Sequence, residues 1–226
     1  MYTNKELEEI YDARYSEKEA VINEREVILY RKLKNILLPK DFLAGEVTNL
    51  DLGCGRGHKT VGFTNGFKRV LAVDLSGNVI EHCKAFYQSK ENIEFKAVDA
   101  AKIEEKFNLI TAFGFSLFNT PDNDKLLSDL QGFTDRNLKK GEKSFFILGS
   151  FTDFTGKGEE SWYLHTKEDL KYIRHKLQES GAKVKVIFTH KKMGNYFGAG
   201  FYNFMAECYK LVTKRKKTFF IVIEHG

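Results

Sequence analysis

The sequence predicts an α/β fold: a doubly wound, mostly parallel seven-stranded sheet with helices on both faces, an antiparallel C-terminal hairpin and an N-terminal helical lid. Three observations predict it. Strand-type and helix-type segments alternate over residues 46–190, the pattern of parallel strands joined by crossover helices. The first strand of that series runs straight into a glycine-rich turn, DLGCGRG, which opens a helix. The length, 226 residues, suits one domain with appendages: a helical lid over 1–40, a core over 46–190 and a hairpin over 191–226.

Each element has its own signal. Over residues 5–38, Leu7, Ile10, Ala13, Ala20, Val21, Val27, Leu29, Leu33 and Leu37 recur at roughly helical spacing, and Pro39 ends the run. Residues 46–52 read as a strand, 58–65 as a helix and 69–73 as a second strand. A helix over 76–89 follows, with Ser76 as its N-cap. Strands over 92–98 and 107–113, a helix over 122–138 and a strand over 143–149 continue the alternation. Residues 151–165 lack a period and read as a loop over the sheet's edge. A helix over 166–180 is closed by Gly181, and a strand over 182–190 comes next. Residues 201–212 and 218–224 are both strand-like, joined through KRKK, and are expected to pair as the hairpin.

Composition narrows the function classes. The net charge is +5, from 36 basic and 31 acidic side chains, too thin an excess to imply nucleic acid. With 20 Phe, 10 Tyr and one Trp, phenyl rings carry the apolar mass, in the core or around a pocket. Cys54, Cys83 and Cys208 are too scattered for a disulfide framework or a zinc site, so no metal is expected. The first residues are charged and lack the apolar core of a signal peptide. No run approaches the ~18 apolar residues of a membrane span. A cytoplasmic enzyme without a membrane partner is the expectation.

The chemistry is written at strand ends. Gly53, Gly55 and Gly57 let the backbone turn sharply and let a ligand approach without Cβ interference. Asp74 ends the second strand about 20 residues further on, where an acid can take ribose hydroxyls. Asp99 ends the third strand, and residues 113–118 follow the fourth. These are carboxyl ends of successive strands, where open parallel sheets bind ligands.

In these segments the chain resembles the Rossmann-like class I S-adenosylmethionine-dependent methyltransferases, over roughly residues 46–190. NLDLGCGRG is similar to the family's first motif, so the resemblance implies that Asp51, Gly53, Cys54, Gly55, Gly57 and His58 lie around the amino-acid part of the cofactor. It implies that Asp74, with Leu75 beside it, binds the ribose and that Asp99, with Ala100, meets the adenine. FNLITAFGF resembles the fourth motif, which puts Phe113 and Phe115 at the border of cofactor and acceptor. LKKGEKSFFI is similar to the approach to strand five, with Lys140 and Glu142 in place of the family's Pro and Gly. Tyr11, Arg14 and Tyr15 resemble the aromatic and basic stretch that closes over the cofactor. S-adenosylhomocysteine would be the product, and no metal is implied.

Plainer alternatives stand beside several of these. Asp51 either holds the cofactor's ammonium or only braces the glycine turn. His58 is equally a half-exposed helix-start residue, and Cys54 a small buried filler. His165, near Trp162 and Tyr163, is a candidate general base, as is Tyr15, but His165 also suits a residue ahead of a helix that starts at Thr166. Neither D/N-P-P-Y nor a Pro-Cys pair is present, which disfavours transfer to nucleic-acid bases by those routes. The expected reaction is methyl transfer to oxygen or nitrogen of a small molecule. RNA methylation, including cap-type, and a non-catalytic cofactor-binding subunit are the alternatives. Neutralising Lys214, Arg215, Lys216 and Lys217 together is therefore expected to leave methyl transfer almost unchanged. A large loss of activity restored at low salt would instead place a polyanion on that segment.

Overall fold

The computed structural model describes residues 23–152, 162–189 and 217–226. Tyr11, Arg14, Tyr15, the strand expected over 201–212 and Lys214, Arg215 and Lys216 lie outside the described residues. The elements in chain order are α1 (Glu24–Leu37), α2 (Lys40–Leu43), β1 (Thr48–Leu52), α3 (His58–Phe63), β2 (Arg69–Asp74), α4 (Gly77–Phe86) and β3 (Ile93–Ala97). They continue with β4 (Leu109–Phe113), α5 (Asn123–Asn137), β5 (Ser144–Thr152), α6 (Lys167–Glu179), β6 (Lys183–Thr189) and β7 (Lys217–His225).

The seven strands make one sheet in the order β3-β2-β1-β4-β5-β7-β6. β1 to β5 pair in parallel, and β7 runs antiparallel to both β5 and β6. The chain leaves β1 toward β2 and β3 on one side, then returns to place β4 on the other. The strand order thus reverses between β1 and β4, and the tips of strands at such a switch point are the usual ligand position in open parallel sheets.

Strand alternation sorts the core into two faces. Leu50, Leu52, Leu71, Val73, Ile110, Phe146 and Leu148 pack against Leu126, Leu130 and Phe133 of α5 and Leu170, Ile173 and Leu177 of α6. On the other face, Val70, Leu109, Phe113, Phe145, Ile147 and Phe220 pack under Leu29, Tyr30, Leu33 and Leu37 of α1. Val79, Ile80 and Cys83 of α4 cover Ala72 and Phe95 beside them. With both faces covered, FFIL of β5 is a continuous apolar run, as a central strand requires. Phe63, Phe107, Phe118, Phe145, Phe146, Phe219 and Phe220 are fully buried, at roughly 2–3 kcal/mol each. Exposed ion pairs such as Lys68–Glu46 contribute at most ~1 kcal/mol, so the phenyl rings dominate stability.

Helix ends follow their caps. Asn23, Ser76, Asp122 and Thr166 each accept a backbone N–H from the first turn of α1, α4, α5 and α6. Gly181, at φ +87°, stands just past α6.

Residues 24–37 of the expected lid form α1, which buries one side against the sheet as a layer of the core; residues 1–22 lie outside the described residues. Two expectations are corrected. The strand over 218–224 pairs with β5 along one edge and with β6 along the other, so β6 and β7 are an antiparallel pair; residues 201–212 lie outside the described residues. β5 runs on to Thr152, into the expected loop, because β7 continues to pair with it through Phe151↔Thr218 and Thr152↔Lys217.

α1 lies so close to α3 that a Cβ on Gly62 would fall well inside contact distance of the Val27 carbonyl oxygen. The obstacle is backbone, so α1 must move if anything larger than hydrogen is placed there. Gly62→Ala is expected to lower stability by ~1–3 kcal/mol in denaturant unfolding, despite alanine's better helix propensity. An unchanged or raised midpoint would show that α1 is free to shift.

Candidate functional site

The glycine turn is held by sterics from within and by a carboxylate from outside. Gly53, Gly55 and Gly57 all have positive φ, at 68°, 51° and 74°. A Cβ on Gly53 would stand 2.7 Å from the Phe115 ring. One on Gly57 would stand 2.9 Å from the Tyr87 ring and 3.1 Å from Cys83 Sγ. The Asp74 carboxylate, at the tip of β2, accepts the Gly55 N–H at 2.9 Å and the Ser76 N–H at 3.1 Å. The Cys54 N–H donates to the Val73 carbonyl at 3.0 Å. Asp74 thus ties the turn to the start of α4 and is half-buried, with Leu75 half-buried next to it. Asp99, at the tip of β3, accepts the Ala101 N–H at 2.9 Å and caps a short 3-10 turn that begins with buried Ala100.

Asp51 serves another purpose. It is 2% exposed, and both oxygens accept hydroxyl protons, from Thr111 at 2.7 Å and from Thr60 at 2.5 Å. Thr111 in turn accepts from Asn49 Nδ2 at 3.1 Å. The chain Asn49–Thr111–Asp51–Thr60 fastens β1 to β4 and to α3 beneath the turn. Burial raises the Asp51 pKa from 3.8 to about 6, against the opposing pull of the two hydroxyls and Lys59. Asp51 therefore braces the turn, the plainer of its two readings. Sequence reasoning missed its partners. The signal was there: Asn49 and Asp51 are polar at i and i+2 on a strand buried on both faces.

The remaining residues separate by the face they occupy. Phe115 is half-buried over Gly53, with its ring edge-on to Phe118 and Phe133. Phe113 does not border the crevice. Its ring is 5% exposed within a cluster of Tyr30, Phe63 and Phe220, because it alternates to the opposite side of β4. His58 is half-buried, its Nδ1 2.7 Å from the Tyr87 hydroxyl, and burial holds its pKa down. Cys54 is buried, and its thiol pKa is pushed well up by its hydrogen bond with Cys83 and by burial; it is no nucleophile.

His165 is fully buried, edge-on to Tyr163 at 5.1 Å and Phe219 at 5.5 Å, and burial lowers its pKa. A side chain with no exposed surface does not meet an acceptor, so the general-base expectation is corrected. It precedes Thr166, the N-cap of α6, whose capping box with Asp169 is complete. Burial opposes ionisation of Asp169, but hydrogen bonds from Tyr163, Asn123 and Thr166 hold its pKa near about 2.

One residue that sequence reasoning did not single out stands at the seam. Lys59, half-buried on α3, donates from Nζ to the Phe113 carbonyl at 2.9 Å and lies over the Tyr30 ring at 6.0 Å. A Cβ on Gly114, which has φ +80°, would come within 3.5 Å of that Nζ. Nothing in the local spacing of HKT marks it; only the pairing of β1 with β4 brings the ammonium to this tip.

The arrangement suits an elongated nucleoside with a zwitterionic tail. Carboxylates for hydroxyl and amino groups lie at the tips of β2 and β3. A turn free of Cβ atoms and an ammonium lie at the tips of β1 and β4. Among the described residues no group of His, Cys, Asp or Glu is placed to hold a metal ion, and no helix is long and apolar enough to cross a membrane.

Comparison with known proteins bears on the fold. Residues 50–137 match the methyltransferase domain family. No curated protein matches the chain in sequence. Among solved structures, the chain is similar to magnesium protoporphyrin IX methyltransferase from Synechocystis PCC 6803 with bound S-adenosylmethionine. That match has 11% identity and a TM-score of 0.65, and covers 100% of this chain and 98% of the other. A geranyl diphosphate methyltransferase aligns at 14% identity and TM-score 0.56, covering 87% of this chain and 78% of that one. A [4+2]-cyclase aligns at 13% and 0.55, covering 86% and 80%. Likeness at such identities concerns the fold.

The Asp51 brace has a pH signature. Its folded pKa of about 6 lies above the unfolded value of 3.8, so the folded state binds more protons between them and stability falls as pH rises through that window. Asp51→Asn keeps an acceptor without the charge. Relative to wild type it is expected to gain on the order of 2 kcal/mol between pH 4 and pH 7 in denaturant unfolding. A difference that is flat with pH would mean that Asp51 stays ionised in the fold.

Proposed function

We propose that this chain is a class I S-adenosylmethionine-dependent methyltransferase and transfers a methyl group from that cofactor to an oxygen or nitrogen atom of a small molecule. One observation carries the proposal: the glycine turn, Asp74, Asp99 and the Gly114–Phe115 tip converge at the carboxyl ends of four adjacent parallel strands. When bound, the cofactor supplies an electrophilic methyl group on a sulfonium. Every other task falls to the chain. Asp74 stands at the tip of β2, where its carboxylate would accept the ribose hydroxyls. Asp99 would accept from the adenine amino group, and the turn would admit the amino-acid end.

Phe115 closes the crevice with apolar surface and keeps water from the transfer path. In-line displacement asks chiefly for alignment, and the rigid strand tips supply it. The names of the porphyrin and geranyl diphosphate enzymes support a small acceptor, since each acts on one. The cyclase of the same fold marks the limit of that support, because fold likeness does not fix the reaction.

The purified protein is expected to bind S-adenosylmethionine and S-adenosylhomocysteine without added metal, as read by calorimetry. Asp74→Ala should weaken that binding by on the order of 2–3 kcal/mol. It should also cost the free protein ~1–2 kcal/mol of stability, because two backbone amides lose their acceptor. Affinity that stays within about threefold, ~0.7 kcal/mol, would remove Asp74 from the ribose site.

A further inference from the structure

α4 and its flanking residues hold the glycine turn at three points. Ahead of the helix, the Asp74 carboxylate takes the Gly55 N–H. In its last turn, the Cys83 thiol donates to the Gly55 carbonyl at 3.2 Å. Just past its end, the Tyr87 ring fills the place that a Cβ on Gly57 would need. The Tyr87 hydroxyl stands 2.7 Å from Nδ1 of His58, the first residue of α3. The first two points fix Gly55, and the third fixes the exit of the turn into a helix. Tyr87 is 7% exposed and stacks on the Phe95 ring of β3, with centroids 6.0 Å apart, so packing sets the position of its hydroxyl.

A hydrogen bond between phenol and imidazole has a preferred sense. Burial pushes the Tyr87 hydroxyl up to about 12 and holds His58 below its ordinary value, so near neutral pH the phenol keeps its proton and the imidazole is uncharged. The phenol is the stronger donor and the bare ring nitrogen the stronger acceptor. Tyr87 therefore donates to Nδ1, and the His58 ring keeps its own proton on Nε2. We propose that Tyr87 is a positioning residue for cofactor binding, which by this bond holds His58 as the Nε2–H tautomer and keeps the exit of the glycine turn in its binding shape. This rests on the cofactor reading given above. The charged groups that act on His58 are Glu26 of α1, Arg56 of the turn and Lys59 of α3, and the acid opposes the two cations. Cys83 and Glu26 act on Tyr87, and both favour the protonated phenol. Protonating His58 would put a second proton at Nδ1 and turn the Tyr87 proton away from its acceptor, so the bond favours the neutral ring.

Nitrogen NMR of the histidine rings and calorimetry with S-adenosylhomocysteine test the proposal. In wild type near neutral pH, His58 is expected as the Nε2–H tautomer; an Nδ1–H ring overturns the proposal without any variant. Tyr87→Phe keeps the ring packing, removes the hydroxyl and is expected to weaken binding about fivefold, the worth of one neutral hydrogen bond. In a His58→Gln background the same change should alter affinity by less than about twofold, because the partner is already gone. Wild-type affinity is expected to fall only as pH drops below 6.5, and in Tyr87→Phe that fall should begin at a higher pH. Binding by Tyr87→Phe within about twofold of wild type, an equal loss in both backgrounds, or a pH onset that does not move overturns it. Failure of folded wild type to bind S-adenosylhomocysteine would sink the cofactor reading itself, and this inference with it.

Discussion

Everything at the strand tips depends on a steric condition: residues 53, 55 and 57 must be without a Cβ. Their positive φ values already cost an ordinary residue about 1–2 kcal/mol each. The larger constraint is packing, because the rings of Phe115 and Tyr87 fill the volume that side chains at 53 and 57 would need. The turn therefore curls tightly enough for the Gly55 amide to reach Asp74, and this joins the tip of β1 to that of β2. Phe115, in turn, is where it is because Gly114 reverses the chain at the end of β4. Glycine turn, acid and aromatic roof form one interlocked unit.

A second constraint lies beneath it. Placing the Asp51 carboxyl in the core costs desolvation, visible in its raised pKa, and the Thr60 and Thr111 hydroxyls only partly offset that cost. An apolar residue would pack there more cheaply, but it would not link β1, β4 and α3 through directional bonds. The two acids at the surface of the site differ from it by burial. Asp74 and Asp99 hold backbone amides at half-buried positions, so they organise their loops and still present a carboxylate at the sheet's edge.

Most of the fold is legible along the chain because its signals are local. Strand and helix periods, the caps at Ser76 and Thr166, and Gly181 after α6 each report their own neighbourhood. The glycines and the two strand-end acids were legible for the same reason. What failed was information held between elements. Phe113 and Phe115 look alike in FGF, yet alternation sends one ring into the core and the other over the turn. His165 reads as a polar residue in a loop until Tyr163 and Phe219 enclose it. Lys59 becomes notable only when β4 lies beside β1. The last strand looked like one arm of a hairpin because sequence proximity to 201–212 outweighed the unseen need of β5 for a partner.

The central claim is that the carboxyl ends of β1 to β4 form a nucleoside cleft, and a crystal structure with S-adenosylhomocysteine tests it most directly. The ribose is expected against Asp74, the adenine against Asp99 and the amino-acid end at the seam of β1 and β4, beside Gly53 and Phe115. A nucleoside found at the opposite ends of the strands, or lying across the tips in the reverse direction, would contradict it.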